Sequence, residues 1–223
     1  MDARRALLVS ILLLLFLPVR LVAATPRPLL VCYGDSITAG YGLPYGQTFP
    51  DALQRILNTD GYRYLVRNMG TPGATTKDAV ANLPNVLRLH PAVVIVEFGG
   101  NDGLRGLPLA QTRRNLGLVL AALKKAHIRV LLAGITLPPN YGPDYIHAFD
   151  GLFPALAAEY HVAVVPMIYK NLIHVPGTIQ ADGIHPTAKG SRIIAETLMP
   201  ALKTLLEKQP LASSPHSHRQ SVD

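Results

Sequence analysis

Five apolar, β-branched runs recur along the chain: Leu29 to Tyr33, Tyr64 to Arg67, Ala92 to Phe98, Arg129 to Ile135 and Val162 to Val165. Runs such as AVVIVEF lack the in-and-out alternation of a half-exposed strand. They predict strands buried on both faces, as in a parallel sheet covered by helices. Between them apolar positions return at helical spacing, over Phe49 to Leu57, Ala79 to Leu89, Leu109 to Ala126 and Tyr145 to Tyr160, with a last helix from about Ala188 to Leu206. The alternation predicts an α/β fold, a three-layer sandwich around a five-stranded parallel sheet with right-handed crossovers.

The first segment stands outside this pattern. Arg4 and Arg5 precede an apolar block from Ala6 to Leu17, then Pro18 and the small residues Ala23 and Ala24. That order reads as a secretory signal peptide over residues 1–24, too short for a comfortable membrane span. The protein is therefore expected to be exported, periplasmic or secreted, with an uncleaved anchor as the alternative. Cleavage after Ala24 leaves 199 residues, of which 25–209 fit one domain with one core and 210–223 form a polar, disordered tail.

Charge narrows the partners. Without Arg4, Arg5, Arg20 and Asp2 the net excess falls from +7 to +5 and is scattered. It favours anionic lipid surfaces slightly, as a transient contact. No dense Lys/Arg block with interleaved aromatics is present, so nucleic-acid binding is not expected. The single cysteine, Cys32, cannot form an internal disulfide and sits in the first apolar run as a small packing residue. The chain is expected to be monomeric.

In an open parallel sheet, chemistry gathers beyond the carboxyl ends of the strands. The first run ends in Gly34-Asp35-Ser36, the second in Asn68-Met69-Gly70-Thr71-Pro72-Gly73 and the third in Gly99-Gly100-Asn101-Asp102; Asp182-Gly183-Ile184-His185 follows the fifth. Asp35 and Ser36 are ordinary helix N-caps, or Ser36 is a nucleophile presented at a strand end. Between Thr25 and Gln209 the only other serine is Ser191, inside the last helical pattern, where a surface or back-bonded serine is the ordinary reading. A nucleophilic serine needs a base and the base an orienting group, which His185 and Asp182 supply on one turn. Alternatively Asp182 caps the last helix and His185 is a loop histidine. Oxyanion donors could come from the Asn101 amide and the Gly73 and Ser36 N–H groups, although Pro72-Gly73 also suits a plain turn and Asn101 a local cap. GxSxG, HExxH, Walker A and paired-cysteine zinc spacings are absent.

This combination resembles the SGNH, or GDSL, hydrolases. GDSIT at Ser36 is similar to the family's first block, Asn68-x-Gly70-x-Pro72-Gly73 to its second, Gly99-Gly100-Asn101-Asp102 to its third and Asp182-x-x-His185 to its fifth. The resemblance implies a flavodoxin-like SGNH hydrolase fold, Ser36 as nucleophile, His185 as base, Asp182 as its partner and Ser36, Gly73 and Asn101 as oxyanion donors. Within the family, VEFGGNDGLRGLP and LPPNYGPDYIHAF resemble the exported bacterial arylesterase, lysophospholipase and thioesterase I group.

That group hydrolyses acyl esters and thioesters without a metal or organic cofactor. The expectation is an esterase acting on small-molecule or lipid acyl esters: aryl, short- or medium-chain, or lysophospholipid esters, and thioesters. The alternatives are a carbohydrate or cell-wall O-acetyl esterase and a degenerate lipid- or glycan-binding module. The segment from Leu137 to Phe149 is either a rigid surface turn or a loop over the acyl chain, in which case Leu137, Tyr141, Tyr145 and Ile146 line the pocket.

Overall fold

A computed structural model of the protein describes residues 26–207; the signal segment, residues 1–24, and the tail, 210–223, lie outside the described residues. Five parallel strands, β1 (Leu29–Gly34), β2 (Leu65–Gly70), β3 (Val93–Glu97), β4 (Arg129–Ala133) and β5 (Ala163–Val165), are ordered β2-β1-β3-β4-β5. Chain direction across the sheet therefore reverses between β1 and β3, the point where such folds open a crevice.

Eight α-helices connect or follow the strands among the described residues: α1 (Ser36–Ala39), α2 (Phe49–Thr59), α3 (Thr76–Leu87), α4 (Gly100–Leu104), α5 (Leu109–Lys125), α6 (Pro143–Asp150), α7 (Leu152–Tyr160) and α8 (Ala188–Lys203). α2 packs with α8, and α5 packs with α3 and α7, which forms the two outer layers. Threonines start three of these helices. Thr48 and Thr75 make capping boxes with Asp51 and Asp78, and the Thr187 hydroxyl accepts the Gly190 N–H. β1 and β3 are the core of the sheet, with Leu30, Val31, Cys32 and Val93 to Val96 fully buried under Phe49, Phe98, Phe149 and Phe153. Full burial of such a side chain contributes about 1.5–3 kcal/mol.

Two elements differ from the sequence expectation. β2 runs on to Gly70, because its backbone pairs with β1 from Leu29↔Leu65 to Gly34↔Gly70. It is an edge strand whose side chains are largely exposed, so its second half carries no apolar signal. The helix expected over Tyr145 to Tyr160 is two helices meeting at Gly151. Pro154 has no N–H to give the Asp150 carbonyl and its ring excludes that carbonyl from helical geometry, so the chain breaks and restarts.

Candidate active site

At the end of β1 Asp35 is the helix N-cap and Ser36, which is not, opens the helix toward the cavity. Asp35 Oδ1 accepts the Ile37 N–H at 3.0 Å and caps α1, and Ser36 is the first residue of that helix. Gly34 precedes them because a Cβ there would stand 2.6 Å from Glu97 Oε2. Asn68 donates to the Thr38 carbonyl at 2.8 Å, which ties the end of β2 to α1.

The turn before α8 brings a histidine and an aspartate to this serine. His185 Nε2 lies 2.9 Å from Ser36 Oγ, and His185 Nδ1 lies 2.7 Å from Asp182 Oδ2. Asp182 Oδ1 also accepts the Ile184 and His185 N–H groups, at 2.9 and 3.0 Å. Burial works against its charge, but those N–H groups and the imidazole outweigh it and hold the carboxyl below its ordinary range. The turn itself is braced: Gln180 donates to the carbonyls of Tyr41 and Pro186, and the Tyr169 hydroxyl donates to the Ile184 carbonyl at 2.9 Å. The Tyr41 ring leans on the imidazole with centroids 4.8 Å apart. Such a line of groups can take a proton from the hydroxyl as it attacks a carbonyl.

Three candidate oxyanion donors come to the same place. Ser36, Gly73 and Asn101 all line one cavity. Gly73 holds a left-handed backbone conformation, φ +77°, and its carbonyl accepts from Arg105 Nη2 at 2.9 Å. No acceptor among the described residues takes the Gly73 or the Ser36 N–H. Asn101 is different, since Nδ2 donates to the Ala74 carbonyl at 3.0 Å and to Asp35 Oδ2 at 3.1 Å. Both its protons are in use, so a carbonyl oxygen entering the site has to share one of them. Asp102, 2 % exposed, accepts from the Thr76 N–H and hydroxyl and locks α4 to the start of α3.

The cavity measures about 1220 Å³ and is lined mainly by apolar side chains. Leu137 and Ile146 face it, together with Pro138 and Pro139. Tyr141 and Tyr145, expected beside them, do not. The Tyr141 hydroxyl donates to the Leu104 carbonyl at 2.7 Å and its ring stacks on Tyr145, so the pair braces the loop from behind. The opposite wall, Met167, Leu172, Ile173, Val175 and Ile179, was missed in the sequence. For all of them but Ile179 the signal was there, in the apolar positions of MIYKNLIHV after β5. Ser191 is neither at the surface nor back-bonded: it lies fully buried on the core side of α8 with no hydrogen-bond partner among the described residues, and it does not line the cavity. Cys32 is buried in β1, where desolvation pushes its thiol far above the ordinary range.

A parallel α/β sheet with a serine, a histidine and an aspartate in line at its switch point has the architecture of a serine hydrolase without the GxSxG elbow. The chain belongs to the GDSL-like lipase/acylhydrolase family, whose model matches residues 32–193, and it is a carboxylic ester hydrolase. It is 42% identical over 203 residues to the esterase TesA of Pseudomonas aeruginosa, covering 91% of this chain and 100% of that one. It is 35% identical over 193 residues to the thioesterase 1/protease 1/lysophospholipase L1 of Escherichia coli K12, covering 86% of this chain and 91% of that one. The crystal structure of TesA superimposes with a TM-score of 0.77, covering 80% of this chain and 99% of that one.

Proposed function

We propose that the protein is an exported serine esterase that cleaves acyl esters, and thioesters, through an acyl-enzyme on Ser36. One observation carries the reading: the 2.9 Å contact between Ser36 Oγ and His185 Nε2 opens directly into an apolar cavity. Ser36 Oγ attacks the acyl carbonyl while its proton passes to His185 Nε2, and Asp182 holds the Nδ1–H of the resulting imidazolium. Negative charge collects on the carbonyl oxygen, toward the N–H groups of Ser36 and Gly73 and the amide of Asn101. Collapse breaks the bond to the alcohol or thiol, which leaves with the proton from His185. Water then repeats the sequence on the acyl-enzyme and releases the acid.

The apolar walls favour a medium-chain acyl group over acetate on a sugar, which would need polar partners around its ring. Tyr41, Ile173 and Val175 stand exposed, between 38% and 55%, on the cavity rim, where a transient lipid contact would place an acyl chain at the mouth. Export and the monomeric state belong to the same reading. The decisive experiment is a chain-length series of p-nitrophenyl esters beside a lysophospholipid and an acyl-CoA. Activity on acetylated sugars alone would replace this reading with the O-acetyl esterase.

Ile146→Ala and Ile173→Ala test the two walls. A buried methylene is worth about 0.8 kcal/mol and Ile→Ala removes three carbons, so each change should lower kcat/KM for medium-chain esters by up to roughly 60-fold and leave acetate nearly unaffected. Equal losses on both would remove these walls from the acyl site. Asp182→Ala should lower kcat, by less than the roughly 10,000-fold that follows loss of a buried partner. Its side chain is 39% exposed, so water can take over part of its contact with the imidazole; an unchanged kcat in steady-state assays would remove Asp182 from the relay.

A further inference from the structure

Behind Ser36 lies a pair of buried carboxyls that the hydrolytic steps above do not use. Glu97, at the end of β3, is fully buried, and Asp35 is 2 % exposed. Glu97 Oε2 accepts from the Thr38 hydroxyl at 2.7 Å and from the Asp35 N–H at 3.4 Å, while Oε1 has no hydrogen-bond partner. Asp35 Oδ1 is fixed by the Ile37 N–H, and Oδ2 receives the Asn101 amide. The two carboxyls are thus buried side by side, linked through the Asp35 N–H rather than to each other. Two neighbouring carboxyls out of water, one of them with a bare oxygen, do not both carry charge, so one of them keeps a proton.

The surroundings settle which one. Facing the pair are Tyr169 from the segment after β5, His185 from the turn before α8, and Cys32 from β1, with Asp182 beyond Tyr169 and His185 and Asp51 of α2 beyond the thiol. His185 is the only group among them able to carry positive charge, and it acts on Asp35. Asp35 also has N–H donors on both oxygens, whereas Glu97 leaves one oxygen bare. Desolvation and then the Asp35 charge push the Glu97 carboxyl well above its ordinary range. Desolvation pushes Asp35 only to about 6, because the Ile37 N–H, Glu97, His185 and Asn101 all favour its charge.

We propose that Glu97 is a positioning residue kept protonated, so that the Asp35–Glu97 pair carries a single charge on Asp35, which holds the Asn101 amide at the cavity. A second negative charge there would oppose an oxyanion forming beside Asn101. A pair with no charge would hold the amide less firmly. Gly34 is part of the device, since any side chain at that position would displace the Thr38 hydroxyl and the Glu97 carboxyl.

The proposal rests on the reading of Asn101 as an oxyanion donor, and its test separates the two. Glu97→Ala should lower kcat about 10- to 100-fold with little change in KM, short of the full loss of a donor. Glu97→Gln, neutral and able to donate, should recover most of that loss. Infrared spectra of the neutral-pH enzyme should show a protonated-carboxyl stretch that is absent from Glu97→Gln.

Stability gives a further readout with a fixed sign. Above about pH 4.3 the unfolded chain has lost the Glu97 proton while the fold retains it, so the fold binds more protons and wild-type stability falls as pH rises. Asp35 adds the same sign between its unfolded value of about 3.9 and its folded value of about 6. The melting-temperature gap, Glu97→Gln minus wild type, should therefore widen from about pH 5 to about pH 8. A missing carboxyl band, a constant gap, or a Gln variant as impaired as Ala would each overturn the proposal. If the band and the widening gap are present but Asn101→Ala keeps full kcat, the protonated pair stands, its link to catalysis is overturned, and the fault lies with the Asn101 reading.

Discussion

Ser36→Ala is expected to lower kcat by roughly 10,000-fold or more and to abolish covalent labelling by an organophosphonate, with the melting temperature nearly unchanged. The size follows from what the change removes: the atom that would carry the acyl group, and with it the use of His185 as a base. The fold should tolerate it, because the cap of α1 is the Asp35 carboxyl on the Ile37 N–H, and Ser36 contributes only its backbone to that helix. Labelling and kcat together locate the nucleophile. Stoichiometric labelling surviving in Ser36→Ala would move it elsewhere. Ser191, the other serine among the described residues, is fully buried and off the cavity, so such a result would also require α8 to open.

How far the sequence spoke depends on what each signal encodes. The parallel sheet was legible because strands buried on both faces write themselves as unbroken apolar runs, as β1 and β3 do. β2 was legible only in its first half. An edge strand with Arg67 and Asn68 exposed is held by backbone pairing to β1, which has no side-chain signature. The break at Gly151 was written in Pro154 but hidden under a continuing helical period.

For the site, the polar turns could be placed at one sheet edge because the topology forces strand ends together; the distances between them needed the fold. Tyr141 and Tyr145 show the limit most clearly. The pattern marks them as amphipathic loop residues, yet whether such a residue faces the cavity or the scaffold depends on a partner 37 residues away, the Leu104 carbonyl. Glu97 was visible all along, as the one charged residue inside AVVIVEF. A carboxyl in a run otherwise wholly apolar is costly to bury, and that cost is itself a signal of a neighbouring proton or donor.

Asn101→Ala should lower kcat by roughly 100- to 1,000-fold with a small change in KM, since an oxyanion donor acts mainly in the transition state. In the resting site both amide protons are taken, by the Ala74 carbonyl and Asp35 Oδ2. The amide is thus held by two acceptors and can be shared with a third only when that third atom has become more negative than a ground-state carbonyl. Binding of the ester should gain little from it. The tetrahedral oxygen should gain much, which is the split that kcat and KM resolve. The substitution also takes from Asp35 the partner of one oxygen, so the side chain turns toward water or Glu97. A steady-state comparison of wild type and Asn101→Ala on one p-nitrophenyl ester checks the point. A rise in KM at constant kcat would make Asn101 a ground-state contact and leave the hole to the N–H groups of Gly73 and Ser36.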